Sequence, residues 1–296
     1  MKESILDVVI CTYNREDILS ECLEAVAKTV VDFSFNLIVV NNYHRKLSKE
    51  TQELISTISN TTLINEPRPG LSIARNVAIK SGKGQWIAFL DDDALITENY
   101  IAIILKNIEI DQFACFGGHI ESWWKHDPPR WLSRAFGSKP KLMTMRGPLV
   151  EGYNWGSNIV IKRESIEAIS GFPENIGLKG SHLGYSAENI VQDKLRENGE
   201  IIGYDPDLIV HHLVLPHKHR MLWHIKSAYA TGRDGRNTFP KQYGWKGFFK
   251  SMKTCFSTPA RGLLKIFSKK DYFWENLILD FTLPNALLIG KLRSLI

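Results

Sequence analysis

The first hundred residues alternate between short continuous apolar runs and segments whose apolar residues recur at helical spacing. Ile5 to Tyr13 reads as a strand, and its centre at Val8, Val9, Ile10 and Cys11 has the unbroken apolar character of a parallel strand buried on both faces. Asn14 follows as a helix cap, with Ile18, Cys22, Ala25, Val26 and Thr29 on one side of the helix. Phe35 to Val40 is a second buried strand, Ser48 caps a helix running to about Ile58, and Thr61 to Ile64 is a short third strand. The turn Pro67-Arg68-Pro69-Gly70 opens a helix from Leu71 to Lys80 that Gly82 closes. Trp86 to Leu90 is a fourth strand, and Thr97 starts the next helix. Such alternation predicts an α/β fold, doubly wound around a mostly parallel sheet. Ligands of these sheets bind beyond the carboxyl ends of the strands. Thr12-Tyr13-Asn14, Asn41-Asn42 and Asp91-Asp92-Asp93 each follow a strand at that end.

The alternation stops after Ile120. Glu121 to Gly147, rich in Trp, Pro and basic residues, reads as a loop. Tyr153 to Ile161 reads as a strand, Ala187 to Asn198 as a helix, and Ile201 to Tyr204 and Leu208 to Val210 as two short strands. Beyond Leu213 the pattern is helical and basic. That segment holds 15 Lys/Arg against 4 Asp/Glu, whereas the rest of the chain holds 22 against 28. The asymmetry suits an anionic partner such as lipid headgroups, phosphates or nucleic acid; a solvated helical face is the other reading. Basic residues interleave with aromatics in Trp245 to Lys250 and Leu263 to Lys270, as in a helix lying on an anionic membrane; a helical cap on the domain is the alternative. The cysteines Cys11, Cys22, Cys115 and Cys255 form no Cys-x-x-Cys pair, which fits a reduced, cytosolic protein. The run Ile5 to Cys11 is short and carries Asp7, unlike a signal peptide, and Asn276 to Ile296 is interrupted by Asp280, Pro284, Lys291 and Arg293, unlike a membrane span.

The strongest chemical signal is Asp91-Asp92-Asp93 at the end of the apolar run Trp86 to Leu90. Adjacent carboxylates at a buried strand end repel one another and resist ionisation unless a cation offsets them. Hard oxygen ligands suit Mn²⁺ or Mg²⁺, which normally share their shell with substrate phosphates. The alternative is an acidic cluster facing the dipole of the following helix. No Walker motif and no Gly-x-Gly-x-x-Gly is present, so neither a P-loop enzyme nor a dinucleotide-dependent dehydrogenase is supported.

From Ile5 to about Gly235 the chain resembles the family-2 glycosyltransferases of GT-A fold. The resemblance rests on Cys11-Thr12-Tyr13-Asn14-Arg15, Gly70-Leu71-Ser72-Ile73-Ala74-Arg75-Asn76 and Phe89-Leu90-Asp91-Asp92-Asp93. It continues through Gly156-Ser157-Asn158 with Lys162-Arg163, Gly171-Phe172-Pro173-Glu174, Glu188-Asn189 and Pro206 to His212, all in the family's order. It implies a GT-A catalytic domain over residues 1–220, with a donor half to about 120 and an acceptor half from about 121, and a basic, mostly helical appendage over 221–296. By the same resemblance Thr12 and Tyr13 cradle the nucleotide base, Arg15 and Asn41 line the donor, and Arg75 meets base or phosphate. Asp91 lies near ribose and metal with Asp92 on the donor side; Asp93 and His212 bind the metal, His211 being the fallback. Asn158 and Glu188 are expected on the acceptor side; Trp155, beside Gly156-Ser157-Asn158, is read either as stacking on a sugar face or as a core aromatic.

Two positions depart from the family pattern. Asn41-Asn42 stands where an Asp usually accepts from the base, and Asn189 stands where an Asp usually serves as general base. Glu188 is the expected base, with Glu151 or Asp193 as substitutes. Lys179, within Gly177 to Gly180, is read either as a phosphate contact on a mobile loop or as part of a plain turn. Trp123, Trp124 and Trp131, with Arg130 and Arg134, are read as an acceptor-facing or membrane-facing loop. The implied reaction moves a sugar from a nucleotide-diphospho-sugar, UDP-linked by family frequency, to an acceptor hydroxyl with inversion. The implied acceptor is a saccharide or lipid-linked saccharide in cell-surface polysaccharide or glycolipid biosynthesis. Nucleic acid is not an expected partner, and the expected location is cytoplasmic, with peripheral contact at the inner face of the membrane. The alternative is an inactive relative that binds nucleotide-sugar or glycan.

Overall fold

The computed structural model describes residues 4–29, 35–110, 112–180, 182–236 and 238–295. The elements run β1 (Leu6–Thr12), α1 (Glu16–Thr29), β2 (Asn36–Asn41), α2 (Lys49–Thr57), β3 (Thr61–Asn65), α3 (Leu71–Ser81), β4 (Trp86–Asp91), β5 (Ala94–Ile96) and α4 (Tyr100–Ile110). They continue as β6 (Cys115–Trp123), β7 (Gly147–Pro148), β8 (Asn158–Lys162), α5 (Arg163–Ala168), α6 (Ala187–Glu197), β9 (Ile202–Leu213), α7 (Met221–Asp234), α8 (Trp245–Ser268) and α9 (Trp274–Arg293). No helix among the described residues is long and apolar enough to cross a membrane.

The strands form one 9-stranded sheet in the order β3-β2-β1-β4-β8-β6-β9-β5, with β7 added beside β9. The block β3-β2-β1-β4 is entirely parallel, as the alternation predicts, and β1 is buried along its whole length. Leu6, Val8 and Ile10 on one face of β1 pack with Leu37, Val39, Trp86, Ala88 and Leu90 of its neighbours, beneath Leu19, Leu23 and Val26 of α1. β8 then runs antiparallel to both β4 and β6.

The two short strands expected near residues 201–210 are one strand. β9 runs through Asp205-Pro206-Asp207, with a register shift against β6 between Gly118 and His119 that absorbs the irregularity. Gly118 makes this possible: a Cβ there would lie 1.9 Å from the Leu208 carbonyl oxygen. The expected loop from Glu121 also begins later, because β6 extends to Trp123 along β9.

At the amino end of the sheet Asp7 is fully buried. Its carboxylate accepts from Arg163 Nη2 at 2.6 Å, Asn36 Nδ2 at 2.7 Å and Gly84 N at 2.9 Å. The opposite end of β1, where the polar clusters lie, is thereby left to other chemistry.

The chain forms two compact units. The first comprises Met1–Trp123, Gly137–Asn175 and Ala187–Leu213, and holds the sheet. The second comprises Trp124–Phe136, Ile176–Ser186 and Val214–Ile296, bringing two earlier segments to the helices α7, α8 and α9. Within it α7 and α9 approach closely because glycines face the partner backbone. A Cβ on Gly232 would lie 2.1 Å from the Leu287 oxygen, and one on Gly290 2.1 Å from the Tyr229 oxygen. Asn276 of α9 donates to the Trp131 carbonyl at 2.7 Å, and the Trp131 ring sits edge-on to His224 of α7 at 5.2 Å. Arg233 of α7 donates to the Leu183 carbonyl at 2.7 Å.

Candidate active site

Parallel register brings the site together. Cys11 of β1 lies beside Asp91 of β4, and Thr12 lies beside Asn41 of β2, so their polar ends share one edge of the sheet. After Asp91 the chain turns into β5, which pairs antiparallel with β9 and sets Ala94 opposite His212. A backbone bond from Leu213 N to the Asp93 carbonyl, 2.8 Å, fixes this junction. His212 Nε2 lies 3.2 Å from Asp93 Oδ1 and 3.7 Å from Asp91 Oδ2. One ligand atom from each of Asp91, Asp93 and His212 falls within 4.8 Å of the others. Asp93 Oδ1 is buried yet accepts no hydrogen bond from the described residues. A buried carboxylate oxygen left over in this way calls for an explanation. Two carboxylates and an imidazole converging on one point fit a divalent cation such as Mn²⁺ or Mg²⁺.

The middle aspartate serves a different purpose. Asp92 is fully buried, accepts from Thr12 Oγ1 at 2.6 Å and forms an ion pair with Arg15, which also reaches Asp93 Oδ2 at 3.3 Å. Burial pushes the Asp92 carboxyl up to about 7; the Arg15 charge opposes this only in part. Burial acts on Asp91 in the same sense, but there a hydrogen bond from His212 and the charge of Arg75 prevail and hold it at about 2. For Arg15, burial works against the charge, and the three aspartates outweigh it and raise its pKa.

Arg75 is buried in α3 and turned toward the sheet. Its Nη2 donates to the Gly156 carbonyl at 2.8 Å and to Asp91 Oδ1 at 3.3 Å, and its guanidinium stacks over Phe172 at 5.2 Å and Phe89 at 5.7 Å. Arg75 therefore grips Asp91 and the Gly156 loop from beneath. Gly156 leaves room for it, since a Cβ would lie 3.0 Å from both terminal guanidinium nitrogens.

The remaining predicted residues divide between the rim and the interior. Tyr13 stands edge-on to Tyr43 at 5.0 Å, and Tyr43 stacks on His44 at 4.2 Å, giving an aromatic corner past the ends of β1 and β2. Tyr43 and His44 escaped the sequence reading; their only signal was their place after a buried strand. Asn41 donates to the Arg45 carbonyl and to Asn65 Oδ1, and Asn42 clamps the turn before α3 through Glu66 O, Arg68 O and Gly70 N. Asn158, expected on the acceptor side, is fully buried. Its amide bonds Tyr100 Oη, the His119 carbonyl and the Leu208 carbonyl, so it joins β8 to β6, β9 and α4 from inside. Trp155 packs against the core with Lys139 Nζ 4.2 Å above its ring.

Glu188 lies half-buried in the first turn of α6. That turn is held by Gln192, which accepts from Asn154 N and donates to the carbonyls of Asn154 and Glu188. Of its substitutes, Glu151 is exposed and Asp193 accepts from Tyr153 Oη at 3.1 Å. His211, the fallback ligand, pairs with Glu121 at 3.6 Å, away from the aspartates. Lys179 joins His182 in a short antiparallel bridge.

Comparison with known proteins agrees with this architecture. The model of the family described as "Glycosyl transferase family 2" matches residues 7–170. Glucosyl-dolichyl phosphate glucuronosyltransferase of Haloferax volcanii is 25% identical over 78% of this chain and 76% of its own. Succinoglycan biosynthesis protein ExoM of Rhizobium meliloti is 22% identical over 86% of this chain and 83% of its own. Among solved structures, the mannosyltransferase PcManGT of Pyrobaculum calidifontis, in complex with GDP-Man and Mn²⁺, matches with a TM-score of 0.60 at 17% identity, over 100% of this chain and 88% of its own. S. aureus TarS in complex with UDP-GlcNAc matches with a TM-score of 0.55 at 14% identity, over 97% and 90%. These likenesses establish the GT-A fold, and with the family match the chain belongs to glycosyl transferase family 2 and is a glycosyltransferase.

Proposed function

We propose that this glycosyltransferase moves a sugar from a nucleotide-diphospho-sugar to an acceptor hydroxyl, with inversion, and that Asp91, Asp93 and His212 hold the divalent cation the reaction needs. The observation that carries the reading is the convergence of these three side chains around a buried Asp93 Oδ1 that accepts no hydrogen bond from the described residues. A bound Mn²⁺ or Mg²⁺ supplies charge neutralisation for the leaving diphosphate. Arg75 keeps Asp91 oriented toward it. Arg15, already beside Asp92 and Asp93, is the cation this reading assigns to a donor phosphate. Tyr13 and Tyr43 offer an aromatic edge to the base. Glu188 takes the proton from the attacking hydroxyl, the role of a general base on the face opposite the leaving group.

The donor nucleotide in this reading is UDP. PcManGT and TarS, which share the fold, were solved with GDP-Man and UDP-GlcNAc. The relatives named for dolichyl phosphate and succinoglycan support a saccharide or lipid-linked saccharide acceptor and a place in polysaccharide or glycolipid biosynthesis. A lipid-linked acceptor would put the reaction at the cytoplasmic face of a membrane. Donor binding without turnover is the second reading, and Asn189 is the residue that favours it.

The test is calorimetric titration of UDP, GDP, CDP and dTDP, each with Mn²⁺ and with EDTA. One nucleotide should bind only with metal, and Asp93→Asn should weaken it by at least about 10-fold, since losing even an outer-shell partner of a metal ligand costs about 10–100-fold. Failure of every nucleotide to bind, with or without metal, would sink the donor-site reading. Glu188→Gln should leave nucleotide affinity within about twofold while sugar transfer falls about 10²–10⁴-fold. Equal transfer by Glu188→Gln and wild type would remove Glu188 from the mechanism.

A further inference from the structure

α8 has three faces, and one of them lies exposed among the described residues. Its 24 residues place Ser251, Pro259 and Gly262 in the interior of the helical unit, where a Cβ on Gly262 would lie 2.5 Å from Tyr272 Oη. Beside that buried face runs a stripe of large apolar side chains. Trp245 is 81% exposed, Phe249 62%, Phe256 76% and Phe267 91%, with Met252 and Leu263 also exposed. At about 100° per residue these positions fall within about 60° of one another, so the stripe is narrow. The third face carries Lys246, Lys250, Lys253, Arg261 and Lys265, and α8 has no acidic residue at all.

Exposed apolar side chains scattered singly need no explanation, but a continuous aromatic stripe on a long helix does. α8 is also not a membrane span. α9 repeats the pattern more weakly, with Trp274, Ile278, Phe281, Ile289 and Leu292 exposed at helical spacing. The charge on α8 selects the occupant. Burying the stripe against a second copy would bring the cations beside it, Lys246, Lys250, Lys253 and Arg261, toward their own copies with no acidic residue of α8 between them. An anionic lipid surface takes the same stripe among its acyl chains and attracts the cations beside it.

We infer that α8 is a membrane-docking helix, lying in the plane of an anionic lipid surface with Trp245, Phe249, Phe256 and Phe267 inserted and its lysines at the headgroups. This deepens the lipid-linked acceptor of the proposed function and rests on it for its purpose, whereas the contact itself rests on α8 alone.

The test is flotation of the full chain with vesicles of phosphatidylcholine and with an equal mixture of phosphatidylcholine and phosphatidylglycerol. Wild type should float with the mixture and stay behind with phosphatidylcholine. Phe256→Asp combined with Phe267→Asp should cut partitioning at least about tenfold. Lys246→Glu, Lys250→Glu and Lys253→Glu together should do the same, and raised salt should mimic them. All these positions are exposed, so circular dichroism and melting temperature should match wild type. Wild type that floats with neither vesicle overturns the inference, as do variants that float like wild type. A wild-type dimer in sedimentation equilibrium that the Phe variant makes monomeric overturns it too, and gives the stripe to a second copy. Metal-dependent nucleotide binding, measured on the same preparations, reports on the catalytic reading separately: lost flotation with intact nucleotide binding leaves that reading standing.

Discussion

Within the run Asp91-Asp92-Asp93, the turn between β4 and β5 separates the work. Asp91 and Asp93 turn toward His212, while Asp92 turns inward to Thr12 and Arg15. Asp92 titrates near 7 because it is buried, far above the 3.8 of an unfolded chain. The folded protein therefore holds a proton that the unfolded chain releases between those values. Stability from this residue falls as pH rises from about 4 to about 7 and is level outside that window. Thermal melts of the EDTA-treated protein should show this slope, and Asp92→Asn should flatten it; an unchanged slope would mean that another group is responsible. Gly156→Ala tests Arg75 in the same spirit. The added methyl pushes on the guanidinium, so Asp91 loses its support. Metal-dependent nucleotide affinity should drop about tenfold, with a stability cost of about 1–3 kcal/mol. Unchanged affinity would mean that Arg75 does not act through Asp91. That the aspartates and His212 would meet was legible from the order of motifs in the family resemblance, and one ligand atom from each of Asp91, Asp93 and His212 does fall within 4.8 Å of the others. The direction of Arg75 was not, since only the packed fold buries an arginine beneath Phe89 and Phe172. Asn158 misled for the opposite reason: a polar residue in a functional motif bonds three elements of the interior.

Among the elements, β1, β2 and β4 could be read directly, because strands buried on both faces are continuous apolar runs. The later strands could not. β8 enters antiparallel, and Asp205-Pro206-Asp207 looks like a turn until the bulge at Gly118 accommodates it. The same sheet carries its main electrostatic clasp at the end remote from the site, where Arg163 of α5 closes on Asp7 of β1. Removing one partner of a buried pair leaves the other charge uncompensated. Asp7→Ala should therefore cost about 3–5 kcal/mol in urea unfolding, while nucleotide affinity at low temperature stays within about twofold of wild type. A loss of affinity larger than the loss of stability would show that the two ends of the sheet are coupled.

Across the whole molecule the helical unit is not a simple tail. Trp131 and Arg130, far earlier in the chain, bond Asn276 and Glu275 of α9, and Leu183 accepts from Arg233 of α7. The charge count picked out the basic end of the chain, but it could not reveal that residues 124–136 and 176–186 pack there too. A chain ending at residue 220 should thus expose Trp131 and aggregate on size-exclusion chromatography; a monomeric fragment with an unchanged melting temperature would show those segments fold without α7 and α9. The clasp at Asp7 also sets a schedule for synthesis. Its arginine lies 156 positions downstream, so on a ribosome adding about 5–20 residues per second Asp7 waits about 8–30 s for its counter-ion. Until then the parallel block can pair its strands but must leave one edge wet, and the newborn chain is most vulnerable to misassembly in that interval.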